Sequence, residues 1–178
     1  MKRVYISGYR SYELGVFKED DPKIKIIKNV IKKNIVQLIE EGLEWIMLGG
    51  NLGVEMWACD VCIELKEDYP ELSLAAIFPF EGFGEQWNEK NQTQLMKLKT
   101  HADFCEATSH KPYETPQQLR NHTQFLLSHT DGALLIYDEE YPGKTSYLHK
   151  DIKKLQEQGN YELWQVTMDD LQNYQEHY

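Results

Sequence analysis

The chain predicts a three-layer α/β/α protein with a mainly parallel sheet. Short apolar runs alternate with longer segments of helical period, and a glycine-rich turn joins one such run to one such segment. Strands that alternate with helices pair in parallel through right-handed crossovers, which cover both faces of the sheet. No repeat, low-complexity tract or linker divides the 178 residues, so a single domain over 1–178 is expected.

Val4 to Ser7 reads as the first strand, followed by Gly8-Tyr9-Arg10 and a loop through Leu14-Gly15. Asp21-Pro22 is a helix start, and Ile24, Ile27, Ile31, Ile35 and Leu38 carry a helical stripe that ends before Gly42. Trp45 to Leu48 is the second strand. After the glycine turn, Val54, Trp57, Ala58, Val61, Cys62 and Leu65 recur at helical spacing and define a buried stripe. Leu72 to Phe78 is a nearly continuous apolar run, as in a strand covered on both faces. Pro79-Phe80-Glu81-Gly82-Phe83-Gly84 breaks it, and a polar helix is expected over Glu85 to Leu98, then a short strand over Ala102 to Ala107. The loop Ser109 to Pro116 precedes a helix that starts at Thr115-Pro116 and runs to His129. Gly132 to Tyr137 is the clearest central strand, Ser146 to Gln158 a further helix, and Tyr161 to Val166 the last strand.

In open parallel sheets ligands bind beyond the carboxyl ends of the strands. Three loops fall at that edge: Gly8 to Gly15, Gly49 to Gly53, and Pro79 to Gly84. Gly49, Gly50, Asn51, Leu52 and Gly53 lead into a helix, where backbone N–H groups approach a ligand closely and the helix N-terminus adds partial positive charge. The natural guest is a phosphate or pyrophosphate. Glu55 falls off the apolar stripe in the first turn of that helix and is expected to face the ligand, on ribose hydroxyls or in proton transfer, because a carboxylate repels a phosphate in direct contact. Arg10 stands where a guanidinium reaches a phosphate with two parallel hydrogen bonds. Tyr9, Phe80, Phe83 and Trp87 offer flat faces for a base. The ordinary alternatives are a tight strand-to-helix connection, a solvated arginine and aromatic side chains that close the core.

Composition narrows the chemistry. The formal net charge of -10 opposes nucleic-acid binding, which needs a basic footprint. The 41% hydrophobic and 27% charged fractions fit a soluble globular chain, and neither a signal peptide nor an apolar run of about 18 residues is present, so a cytoplasmic protein without membrane insertion is expected. Cys59 and Cys62 have no second pair or nearby histidine pair to complete a metal site. His122 and His129, on the helix before the strong strand, are placed to face either the ligand edge or solvent. No G-x-S-x-G elbow, Walker lysine motif, H-E-x-x-H or acidic metal cluster occurs.

Ser7-Gly8-Tyr9-Arg10, the glycine turn ending in Glu55, and Thr130-Asp131-Gly132-Ala133-Leu134-Leu135-Ile136-Tyr137-Asp138 together resemble the YpsA-like family of Gram-positive bacteria. The resemblance extends through Phe17-Lys18 with Asp20-Asp21, Glu41 to Ile46, and Thr167 to Leu171. That family is similar to the SLOG superfamily of Rossmann-like domains, which includes DprA and the LOG phosphoribohydrolases. The resemblance implies a site for a nucleotide derivative, with ADP-ribose or an NAD-related molecule the usual suggestion, and a sensor or regulator linked to cell division or stress, acting with a cell-division or regulatory protein. The LOG enzymes carry a P-G-G-x-G-T-x-x-E motif and a catalytic arginine. This chain has Leu48 and Val54 in place of the proline and threonine, Glu55 closer to the last glycine, and His122 where the arginine stands, with Arg120 two residues away.

Three functional readings follow. The leading one is a nucleotide-derivative-binding regulator. The second is a nucleotide N-glycosidic hydrolase with Glu55 as catalytic acid or base. The third is a protein-interaction module with a vestigial site, which binds partners through exposed loops or the acidic tail from Asp169 to Tyr178.

Overall fold

The computed structural model describes the backbone of residues 1–177 and side chains through residue 174. Six strands form one sheet: β1 (Arg3–Gly8), β2 (Trp45–Leu48), β3 (Ser73–Phe78), β4 (Phe104–Ala107), β5 (Gly132–Ile136) and β6 (Glu162–Val166), in the order β4-β3-β2-β1-β5-β6. Every ladder is parallel, in registers such as Val4 with Ile46 and Val4 with Gly132. The chain therefore builds outward from β1 in one direction as far as β4, then returns to the other side of β1 with β5. Such a reversal of strand order leaves a crevice beyond the carboxyl ends of the central strands.

The helices are α1 (Pro22–Glu40), α2 (Val54–Asp68), α3 (Glu89–His101), α4 (Gln117–Ser128), α5 (Thr145–Gln158) and α6 (Met168–His177). Alternate residues of each strand serve opposite faces. Val4, Ile6, Ile46, Leu48, Leu74 and Ala76 pack with α1, α2 and α3, whereas Tyr5, Met47, Ala75 and Ile77 pack with Leu126 and Leu127 of α4 and Leu148 and Ile152 of α5. This is the expected three-layer α/β/α arrangement. Each fully buried aliphatic side chain, Ile31, Ile35 and Leu38 among them, contributes about 1.5–3 kcal/mol.

Local chemistry sets the helix starts. Asp21 caps α1 by accepting from the Lys23 N–H at 2.9 Å, with Pro22 next. The polar helix starts at Glu89 rather than at Glu85, because Gly84 holds a positive φ of 82° and Asn88 caps the helix through the Asn91 N–H. Helix α6 has no counterpart in the expected elements. Its start carries a reciprocal cap in which Thr167 N–H donates to Asp170 and Asp170 N–H donates to the Thr167 hydroxyl, and Leu171 and Tyr174 pack on the α1 side. Position 178, the end of the acidic tail, lies outside the described residues. No helix among the described residues is long and apolar enough to cross a membrane.

Candidate functional site

The carboxyl ends of β1, β2 and β3 bring the three informative loops together. The loop after β1 lies directly on the glycine turn: Val54 N–H donates to the Tyr9 carbonyl at 3.1 Å, and a Cβ added at Gly53 would stand 2.5 Å from that oxygen and 2.6 Å from the Ser11 nitrogen. Gly53 also holds φ 93°, ψ -129°, a region open to glycine and costly for other residues. Gly8 is equally constrained by β5, since its Cβ would meet the Ile136 carbonyl at 2.4 Å. Gly50 holds φ 92° against the rings of Phe78 and Phe83. These glycines let three backbones meet at close range. Among the described residues, the N–H groups of Gly50, Asn51, Leu52 and Gly53 donate to no protein acceptor.

Glu55 corrects the orientation expected from its helical position. It is 1% exposed and turned inward. One carboxylate oxygen accepts from the Gly49 N–H at 2.5 Å, and the other accepts from the Asn51 amide at 2.8 Å, the Ser7 hydroxyl at 3.0 Å and the Tyr5 hydroxyl at 3.4 Å. The helix wheel placed it off the apolar stripe of α2, and that direction leads into a polar niche against β1 rather than to solvent. Burial, with the Glu55 charge beside it, pushes the Tyr5 phenol well above its ordinary value.

Tyr9 is likewise buried, at 3% exposure, so its ring is not an open platform. Its hydroxyl faces the carbonyls of Asp138 and Tyr141, at 3.1 and 2.8 Å, and accepts from the Asp138 N–H at 3.0 Å. Burial raises this phenol to about 12. The Thr145 hydroxyl donates to the Gly8 carbonyl at 2.8 Å, and Glu13 accepts from the N–H groups of Arg10 and Lys144, so the loops after β1 and β5 are tied together.

Arg10 is half-buried beside the turn. Its guanidinium donates to the Gly8 carbonyl at 3.3 Å and forms no ion pair among the described residues. Leu52 is half-buried against the main core. Phe80, Phe83 and Trp87 form a half-buried chain of rings: Phe83 lies 5.1 Å from Trp87, 5.5 Å from Phe80 and 5.8 Å from Phe78, centroid to centroid.

His122 is buried under the turn. Its Nε2 lies 2.6 Å from the Ile77 carbonyl, a distance at which only the N–H tautomer donates, and its Cε1 would be 2.8 Å from a Cβ at Gly49. Burial lowers its pKa, outweighing the carbonyl and the Glu55 charge, which act in the other direction. His129 lies at the far end of α4, next to the start of β5, where its ring stacks on Phe125. Arg120 is exposed and bonded to Gln117. Cys59 and Cys62 are buried thiols pushed up to about 12, in an environment that keeps them protonated, and no metal-ligand cluster occurs among the described residues.

Residues outside the sequence expectation also shape this edge. Tyr5 and Ser7 complete the Glu55 niche, and Gln118 and Tyr113 build the loop after β4. Alternation along β1 carries a partial signal for the first pair, because Tyr5 and Ser7 recur on one strand face.

Comparison with known proteins gives a consistent picture. A family model described as the YspA SLOG family matches residues 4–171. The UPF0398 protein of Enterococcus faecalis is 52% identical over 173 residues, covering 97% of this chain and 96% of the relative. The UPF0398 protein of Latilactobacillus sakei is 52% identical over 173 residues, covering 97% and 93%, and that of Leuconostoc citreum is 47% identical over 174 residues, covering 98% and 92%.

Proposed function

The chain belongs to the YspA SLOG family, and from that premise we propose that it binds a nucleotide derivative, of the ADP-ribose or NAD-related kind, at the carboxyl edge of β1, β2 and β3 and acts as a sensor or regulator. One observation carries this reading: among the described residues, four backbone N–H groups, at Gly50 to Gly53, have no protein acceptor at the head of the 15-residue helix α2, beside a guanidinium without a carboxylate partner. Unpaired N–H groups at a helix start favour an anion, and a guanidinium adds directional hydrogen bonds to phosphate oxygens.

In this arrangement Glu55 shapes the site without contacting the phosphate. Its carboxylate fixes the Gly49 N–H and the Asn51 amide, so the following N–H groups hold one conformation before any ligand arrives. A catalytic acid or base needs hydrogen-bond reach to the substrate. A carboxylate that is 1% exposed and accepts from four donors favours binding over turnover.

The test is a thermal-shift panel of AMP, ADP, ATP, NAD, ADP-ribose and cyclic dinucleotides. Ligand at about a hundred times its dissociation constant adds about 2.7 kcal/mol, equivalent to about 5–11 °C for a domain of this size. A shift with one compound supports the reading, and no shift across the panel removes it.

A further inference from the structure

Outward from the glycine turn, the carboxyl edge continues as a run of aromatic rings that ends on a loop built by one buried amide. Phe83 touches Gly50, Phe80 follows at 5.5 Å, and Tyr113, from the loop after β4, lies 5.3 Å beyond Phe80. Tyr113 is 49% exposed. Arg10 lies on the β1 side of the turn and these rings lie on its β3 and β4 side. A ligand with its phosphate at the turn thus has a cationic group on one hand and aromatic rings on the other, tilted by 75° between Phe83 and Phe80 and by 57° between Phe80 and Tyr113.

The loop that presents Tyr113 is held by Gln118, which is only 9% exposed. The Gln118 carbonyl oxygen accepts from the N–H groups of Glu114 at 2.6 Å and Thr115 at 3.1 Å. Its amide nitrogen faces the Ser109 hydroxyl at 2.9 Å and the Pro112 carbonyl at 3.1 Å. The Glu81 N–H donates to the Lys111 carbonyl at 3.0 Å, which ties this loop to the one that carries Phe80. Gln118 and His122 are one turn apart on the same buried face of α4, so the face that braces Gly49 also braces the loop of Tyr113.

We propose that Phe80 and Tyr113 form the wall on which the base of a bound nucleotide stacks, and that Gln118 is the positioning residue that holds this wall at a fixed distance from the phosphate turn. The proposal rests on the nucleotide reading of the same site. A heterocycle suits the position because every base has a π-face and stacking needs no particular hydrogen-bond pattern, which leaves the phosphate turn to supply orientation.

The experiment compares ADP with inorganic pyrophosphate, which lacks the base and ribose, by calorimetry on the full chain. The wild-type protein is expected to bind ADP more tightly than pyrophosphate. Tyr113→Ala is expected to weaken ADP binding by about tenfold, the scale of one stacked base, with pyrophosphate unchanged and with Tyr113→Phe restoring affinity. Tyr113 is exposed, so an unchanged melting temperature separates this loss from misfolding. Gln118→Ala is expected to weaken ADP binding alone, and to have no further effect when combined with Tyr113→Ala, a non-additivity that a general loss of stability does not produce. If ADP binds the wild type and Tyr113→Ala leaves it unchanged, or if ADP and pyrophosphate weaken together, the wall is overturned while the phosphate turn stands. If the wild type binds neither compound, the wall is overturned, because a phosphate turn and a stacking wall together suffice to hold ADP, while the nucleotide reading falls only if the whole thermal-shift panel also fails.

Discussion

The backbone N–H of Gly49 donates to the Glu55 carboxylate at 2.5 Å, between residues only six apart in sequence. The contact closes the glycine turn on itself, and the Ser7 and Asn51 side chains fasten the same carboxylate to β1 and to the turn's midpoint. Glu55→Gln keeps the shape but replaces one acceptor oxygen with a donor that faces other donors. Leaving a buried polar group unmatched costs about 1–3 kcal/mol, so the midpoint of urea unfolding should fall accordingly, and Glu55→Ala should fall at least as far. A Gln variant within about 0.5 kcal/mol of wild type would contradict a structural role for this carboxylate.

Gly53→Ala should lower stability rather than act on ligand binding alone. The new Cβ meets backbone atoms of Tyr9 and Ser11 at 2.5 and 2.6 Å, and neither can move without shifting the loop after β1. Gly15→Ala supplies the comparison, because Gly15 also has a positive φ, 66°, but nothing lies within 4 Å of its Cβ. The strain of a left-handed conformation alone costs about 1–2 kcal/mol, which Gly15→Ala should show. Gly53→Ala should exceed it, with a melting temperature lower by at least a further 2–4 °C. Equal melting temperatures for the two variants would mean that the loop gives way freely.

The same contacts indicate how far the sequence could be read. Apolar runs such as Leu134-Leu135-Ile136 and the stripe of α2 identify strand and helix because burial on both sides of a sheet demands them. The glycine turn was legible for the same reason, since its spacing serves a backbone need. Side-chain direction was less so. The Tyr9 hydroxyl finds its partners at Asp138 and Tyr141, 129 and 132 residues away in sequence, and no local pattern encodes that meeting. Helix α6 escaped because its apolar contacts among the described residues reduce to Met168, Leu171 and Tyr174, although the Thr167 and Asp170 cap was present to be read. Gln118 resembles any polar helix residue until the loop it holds is in place.

Arg10 offers the cleanest separation of binding from folding. Among the described residues its side chain makes one hydrogen bond, of 3.3 Å to the Gly8 carbonyl, so Arg10→Ala should leave the melting temperature nearly unchanged. Loss of a charge-assisted contact to phosphate is worth about 1.5–3 kcal/mol, or about ten- to 150-fold in ADP affinity by calorimetry. Arg10→Lys should recover only part of it, because an ammonium does not reproduce the planar pair of donors. Full affinity in Arg10→Ala would remove the guanidinium from the site.

His122 links the site to pH, and the sign follows from its surroundings. Burial lowers its pKa from the ordinary 6.5 more than the Ile77 carbonyl and the Glu55 charge raise it. The folded chain therefore holds His122 neutral at pH values where the unfolded chain takes up a proton. The resulting stability is fully present above the unfolded value of about 6.5 and is lost as pH falls below it towards the lowered folded value. Asp60, Asp103 and Asp131 have carboxyls held below 3.8, so their contributions are lost at still lower pH and leave the first decline to His122. Unfolding free energy from urea titrations should thus decrease from pH 7 to pH 5 in the wild type. In His122→Gln, which keeps a donor for the Ile77 carbonyl but does not titrate, the slope over the same interval should be shallower. Parallel slopes in the two proteins would show that His122 does not govern the decline, and that the histidine under Gly49 takes up its proton at the same pH in both states.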